Sequence, residues 1–286
     1  MTSVALLGTG TMGAAIAGSI LRHDLALTVW NRDRAKAEPL ADRGARLADT
    51  PQDAVRGADV VLTMLFDADA VASVMDQPVK AGLLGDAVWL QTTTVGIEGT
   101  RRLASLAAAA GVVFVDAPVL GTKQPAAEGM LQVFWAGPSS ARATAQPVLE
   151  AIASRVVEVA DQPGPASALK LVCNAWLATL TAAAAQSVAT ARALGLDPQL
   201  FLDAIGAGPL NSPYAQTKAA EMISGNYEDA AFALDNVRKD LGLIREAMAE
   251  AGVDGSLING VAQQFDDASA RGQGGSDIAA VIAAYA

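Results

Sequence analysis

Through the first half of the chain, short apolar runs alternate with Ala-rich stretches of helical period. Residues 3–8, 26–31, 58–65, 86–93, 112–118, 131–137 and 156–160 read as strands, and residues 11–24 and 33–44 as helices between them. Strands that alternate with helices imply parallel pairing, because the crossover needs the helix. The expected architecture is therefore α/β: an open, mostly parallel sheet with helices on both faces. The pattern changes at Gln162-Pro163-Gly164-Pro165. From Ala166 to Leu194 there is neither Gly nor Pro, which predicts one helix of roughly 43 Å, with Gly195 as its stop. Residues 197–206, 212–225, 233–252, 256–272 and 276–286 carry helical periodicity. An α/β domain over 1–163 and an all-helical domain over 164–286, joined by the long helix 166–194, follow from this pattern.

Composition narrows the chemistry. The chain of 286 residues carries 20 Lys+Arg against 30 Asp+Glu, for a net charge of −10. That balance argues against nucleic acid and against anionic membrane surfaces as partners. One cysteine, Cys173, and one histidine, His23, leave no material for a disulfide or a Cys-based zinc site, and no metal is expected. His23 is expected on a helix surface and Cys173 as a small core residue. Residues 171–191 are uncharged and of membrane-spanning length, but Asn174, Thr179, Thr181, Gln186, Ser187 and Thr190 interrupt them, so a buried helix is expected instead. The N-terminal MTSVALLGTG lacks a basic leader pattern, and a cytoplasmic enzyme is the expectation.

The first apolar run ends in Gly8-Thr9-Gly10-Thr11-Met12-Gly13. Between a strand and a helix, Gly8 permits the tight turn, Gly10 lets backbone approach a pyrophosphate, and Gly13 lets helix and strand pack closely. The amides of Thr11, Met12 and Gly13 at the helix start suit an anion. The second strand ends in Trp30-Asn31-Arg32-Asp33-Arg34. Asn31 stands 18 residues past Gly13, where an acid would bind the ribose hydroxyls of NAD. A neutral Asn31 beside the cation of Arg32 favours the 2′-phosphate of NADPH, and Asp33 caps the following helix.

Four motifs in order along the whole chain resemble the β-hydroxyacid dehydrogenase family, relatives of 6-phosphogluconate dehydrogenase. They are the glycine turn, the segment Asp116-Ala-Pro-Val-Leu-Gly-Thr122, the run Gly164-Pro-Ala-Ser-Ala-Leu-Lys170-Leu-Val-Cys-Asn174, and Lys239-Asp240. The resemblance implies a Rossmann-type domain plus a helical one. It also implies hydride transfer between a nicotinamide and a small carbonyl or β-hydroxy acid. Lys170 and Asn174 are i and i+4, so one helix face carries both. Desolvation or a neighbouring cation lets such a lysine exchange a proton near neutral pH. The resemblance makes Lys170 the general acid/base, with Asn174 orienting the substrate. It places Gly121 and Thr122 at the substrate carboxylate, Leu65, Phe66 and Thr94 against the cofactor, and Lys239 beside it. Leu120 stands where the family carries Ser, which removes a hydroxyl and adds an apolar wall. The run Thr122-Lys123-Gln124-Pro125-Ala126 is similar to the branch that reduces glyoxylate and succinic semialdehyde.

Two other readings compete. Imine reductases share the glycine turn and the Asn-Arg pair but generally lack a lysine at position 170. A cofactor-binding module without turnover would have no use for Lys170, Asn174 and Lys239 together. The long helix is apolar on more than one face, and in the family a second subunit covers part of it. A homodimer or a tetramer of dimers is expected.

Overall fold

The computed structural model describes residues 2–285. Its first unit is built on β1 (Ser3–Leu7), β2 (Ala26–Trp30), β3 (Arg46–Leu47), β4 (Val60–Thr63), β5 (Val88–Gln91), β6 (Val113–Asp116), β7 (Val119–Leu120), β8 (Leu131–Ala136) and β9 (Ala153–Ala160). These form one sheet in the order β3-β2-β1-β4-β5-β6-β8-β7, with β9 on β8. The first six strands run parallel. β8 runs antiparallel to β6 and β7 and parallel to β9. The connecting helices are α1 (Thr11–Leu21), α2 (Glu38–Ala41), α3 (Pro51–Val55), α4 (Ala68–Lys80), α5 (Gly96–Ala109), α6 (Lys123–Glu128) and α7 (Arg142–Ile152).

Side-chain alternation explains why both faces are covered. Successive strand residues point to opposite faces. Val4, Leu6, Val60, Leu62, Val88, Leu90 and Val115 join a core with Ile16 and Ile20 of α1, Leu40 of α2 and Val148 and Leu149 of α7. Ala5, Leu7, Val61, Trp89 and Phe114 join the other, with Val55 of α3, Val71 and Met75 of α4 and Leu103 of α5. Trp89 meets Phe114 edge-on, with ring centroids 5.0 Å apart, a contact worth about 0.5–1.5 kcal/mol beyond burial.

Packing divides the chain into two compact units, the second beginning at Leu171. The division falls inside α8 (Pro165–Ala193). Among the described residues, α8 is the one helix long and apolar enough to cross a membrane, and 44% of that stretch is buried in the protein. The second unit continues with α9 (Pro198–Gly206), α10 (Pro213–Ser224), α11 (Leu234–Glu250) and α12 (Ser256–Ala268). A buried ion pair, Lys218 Nζ to Asp277 Oδ1 at 2.7 Å, ties α10 to the C-terminal segment. Asp277 also accepts from the amides of Ala231, Phe232 and Ala279, so the pair is fully bonded in the interior, as a buried charge requires.

Four local features differ from the sequence pattern. The helix expected over 33–44 is broken into a 3₁₀ turn, Arg34–Lys36, and α2. Pro39 has no N–H and fits only the first turn of a helix, so α2 starts beside it. The segment 276–286 holds a 3₁₀ helix, Ile278–Tyr285, in place of an α-helix. His23 is exposed but lies just past α1 rather than on it, and Cys173 is half-buried rather than in the core.

Candidate active site

Leu7 pairs with both Trp30 and Thr63, Thr63 with Gln91, and Gln91 with Asp116. The carboxyl ends of five strands therefore stand level. The chain leaves β1 on one side for β2 and returns on the other as β4, and ligands of open α/β sheets bind at such a switch point. Gly8, Asn31, Leu65, Phe66 and Thr94 all lie on this edge.

The glycine turn has divided tasks. Gly8 has φ of +104°, and a Cβ there would lie 2.2 Å from the Met64 carbonyl oxygen. A Cβ on Gly13 would lie 1.9 Å from the Gly8 carbonyl oxygen. Both are therefore demanded by the fold. A Cβ on Gly10 would meet nothing within 4 Å, so the space beside it is open for a ligand. No side chain caps the start of α1 and no acid stands in its first turn, which leaves the amides of Thr11, Met12 and Gly13 to an anion. Thr9 is buried, and its hydroxyl has no partner among the described residues. These features fit a dinucleotide pyrophosphate.

Asn31 has an internal task as well. Its Oδ1 accepts from the Thr9 amide at 3.0 Å and its Nδ2 donates to the Asp33 carbonyl at 2.8 Å. It thereby locks the end of β2 to the glycine turn. Arg32 is exposed beside it, while Arg34 is engaged by Asp49 and Glu38. Asp33 caps the 3₁₀ turn, accepting from Ala35.

A buried network that sequence reasoning missed fixes the neighbouring strand ends. Trp89 Nε1 donates to Thr63 Oγ1 at 3.1 Å, and Thr63 Oγ1 donates to Gln91 Oε1 at 3.1 Å. Gln91 Oε1 accepts from the Thr93 amide, and Gln91 Nε2 donates to the Thr93 carbonyl. The Leu65 amide donates to Thr93 Oγ1 at 2.9 Å. Thr93 thus belongs to the scaffold, while Thr94 is half-buried and Phe66 is 52% exposed. Leu65 packs toward the glycine turn, since its Cδ2 lies 2.9 Å from where a Gly8 Cβ would be.

After β6 the chain forms β7, in which Leu120 is half-buried and pairs with Gln132. Gly121 and Thr122 precede α6, whose start has no side-chain cap. Asp116, the first residue of this motif, turns elsewhere. It is fully buried and accepts from the amides of Gly164 and Ser167, each at 2.9 Å, and from Ser167 Oγ at 2.7 Å. Burial pushes its carboxyl above the usual carboxylate range, and the Ser167 and Gly164 bonds oppose that shift.

Lys170 and Asn174 follow on α8, 7% and 3% exposed. Asn174 Nδ2 donates to Asp240 Oδ2 at 2.6 Å, and Lys239 Nζ stands 2.9 Å from Asp240 Oδ1. A carboxylate only accepts, so the Asn174 amide nitrogen must face Asp240. Its Oδ1 is then directed elsewhere, buried and with no hydrogen-bond partner among the described residues. Asp240 is thus the link between Lys239 and Asn174 in the second unit. No group of three or more potential metal ligands occurs among the described residues.

Comparison with known proteins agrees with this geometry. Residues 3–160 match the NAD-binding domain of 6-phosphogluconate dehydrogenase. Residues 164–285 match the NAD-binding domain of NADP-dependent 3-hydroxyisobutyrate dehydrogenase. The chain is 32% identical over 281 residues to the uncharacterized oxidoreductase YfjR of Bacillus subtilis, spanning 98% of each chain. It is 28% identical to the chloroplastic glyoxylate/succinic semialdehyde reductase 2 of Arabidopsis thaliana, over 99% of this chain and 79% of that one. The crystal structure of 3-hydroxyisobutyrate dehydrogenase from Salmonella typhimurium superposes with a TM-score of 0.90 at 27% identity, covering 99% of each chain.

Proposed function

The chain belongs to the β-hydroxyacid dehydrogenase family of NAD(P)-dependent oxidoreductases, and we propose that it interconverts a small carbonyl acid and its hydroxy acid with NADPH. Glyoxylate and succinic semialdehyde are the model substrates, on the strength of the Arabidopsis relative and the Thr122-Lys123-Gln124-Pro125-Ala126 run. The observation that carries the reading is the pair on α8: a buried Lys170 one helical turn before a buried Asn174 whose Oδ1 lacks a partner.

When bound, the nicotinamide supplies the hydride in reduction and takes it up in oxidation. Gly8, Gly10, Thr11, Met12 and Gly13 would hold the pyrophosphate, and Asn31 and Arg32 the adenosine end. Leu65, Phe66, Thr94 and Lys239 would line the remainder. Lys170 gives a proton from its ammonium to the carbonyl oxygen as that oxygen becomes a hydroxyl, and takes the hydroxyl proton in the reverse direction. Asn174, with its nitrogen held by Asp240, offers only an acceptor, which suits the hydroxyl form. Gly121 and Thr122 receive the carboxylate on backbone amides, and Leu120 presents an apolar wall where a hydroxyl would favour short polar acids. The reaction belongs in the cytoplasm in this reading.

The cofactor assignment is tested at Arg32. The Arg32→Ala enzyme is expected to lose at least tenfold in affinity for NADPH, about 1.4 kcal/mol, with little change for NADH, as read by KM for each. Equal losses for both would remove Arg32 from the 2′-phosphate.

Assembly follows from the second unit. Val172 and Trp176 are i and i+4 on α8 and are 66% and 68% exposed. An apolar stripe of this kind is covered by another copy of the chain in our reading. Light scattering at micromolar concentration is expected to give a dimer or a tetramer of dimers, and a monomer contradicts it.

A further inference from the structure

We propose that Asp116, acting through Ser167 and Thr100, is the positioning residue that sets Lys170. The proposal rests on the reading of Lys170 as the proton carrier. Its starting point is a carboxylate with no exposure at the end of a central strand, β6. Such a group is stable in the interior only when donors surround it. Here three donors do so, and all three come from the start of α8: the Gly164 amide, the Ser167 amide and the Ser167 hydroxyl. The first amides of a helix have no partner within the helix, and a negative charge is favourable at that end. Asp116 therefore caps α8 from 51 residues away in sequence.

A second hydroxyl extends the arrangement. The Ser167 hydroxyl donates to Asp116 Oδ1 at 2.7 Å. Thr100 Oγ1 lies 2.8 Å from the same Ser167 oxygen. Thr100 sits on α5, with its Oγ1 also 2.8 Å from the Gly96 carbonyl. The chain Thr100 to Ser167 to Asp116 thus clamps the first turn of α8 against both β6 and α5. Lys170 lies three residues beyond Ser167, one turn along the same side of the helix. The clamp fixes the axial position and the rotation of the backbone that carries it.

The test uses the complete protein, with NADPH and succinic semialdehyde. Ser167→Ala is expected to lower kcat about tenfold, with KM for both reactants within about twofold, since a small displacement of a proton donor costs rate more than binding. Ser167→Thr, which restores the hydroxyl, is expected to recover most of the loss. Asp116→Asn is the second variant and should move kcat in the same direction. In a Lys170→Ala background, Ser167→Ala should cause no further loss, because it acts through that lysine. Ser167→Ala with a lowered Tm but an unchanged kcat overturns the proposal and leaves the Lys170 reading intact. So does a full tenfold loss that persists in the Lys170→Ala background. An unchanged kcat in Lys170→Ala alone overturns the reading of Lys170, and the present proposal with it.

Discussion

Lys170→Ala is expected to lower kcat by about 10²–10⁴-fold, the scale of a lost general acid, with NADPH Kd nearly unchanged. Lys170 is buried on α8, a turn before Asn174, and in the proposed reading the dinucleotide is held mainly by other residues, on the strand edge of the first unit. Lys170→Arg separates two roles. An electrostatic clamp on the substrate would survive the change with an altered KM and most of kcat. A proton carrier would not, because a guanidinium stays charged in proteins. Lys170→Arg is therefore expected to fail nearly as badly as Lys170→Ala in steady-state assays. Lys239→Ala serves as the contrast: its side chain pairs with Asp240, and it should weaken NADPH binding together with turnover.

Gly10→Ala is expected to leave the apo protein as stable as the parent, within about 0.5 kcal/mol, while weakening NADPH binding more than tenfold. Gly10 has φ of −67° and ψ of −169°, which alanine adopts without strain, and a methyl group there meets no protein atom within 4 Å. Only a ligand can object to it. Gly13→Ala is the opposite case. Its methyl group would be driven into the Gly8 carbonyl at 1.9 Å, so the structure itself must give way, at about 1–3 kcal/mol. Thermal melts of the apo proteins, alongside cofactor titrations, read both effects. A lower apo Tm for Gly10→Ala, or an unchanged NADPH Kd, would remove the open space beside Gly10 from the cofactor site.

The contrast between these glycines shows what the sequence carried and what it did not. The spacing of Gly8, Gly10 and Gly13 between a strand and a helix marked the turn, because backbone freedom and close packing leave local signatures. Which glycine faces a ligand became visible only once Met64 and the Gly8 carbonyl were in place. The parallel sheet was legible because its strands are apolar runs buried on both faces. β3 and β7 were not, because each spans two residues and owes its pairing to neighbouring strands rather than to a pattern of its own. Lys170 and Asn174 could be placed on one helix face from their spacing alone. Their supports could not. Asp116 reaches Ser167, Asn174 reaches Asp240, and Thr63 reaches Gln91 across long stretches of chain. Hydrogen bonds of that kind have no periodicity. The motif containing Asp116 suggested a substrate segment, yet its first residue faces the helix start.

The most direct test of the central claim is NADPH consumption, followed by nicotinamide absorbance, across a panel of glyoxylate, succinic semialdehyde and cyclic imines. The account expects turnover with a carbonyl acid, at a kcat/KM at least tenfold above that for any imine, and lost in Lys170→Ala. Turnover of imines alone, or carbonyl-acid turnover that persists undiminished in Lys170→Ala, would contradict it.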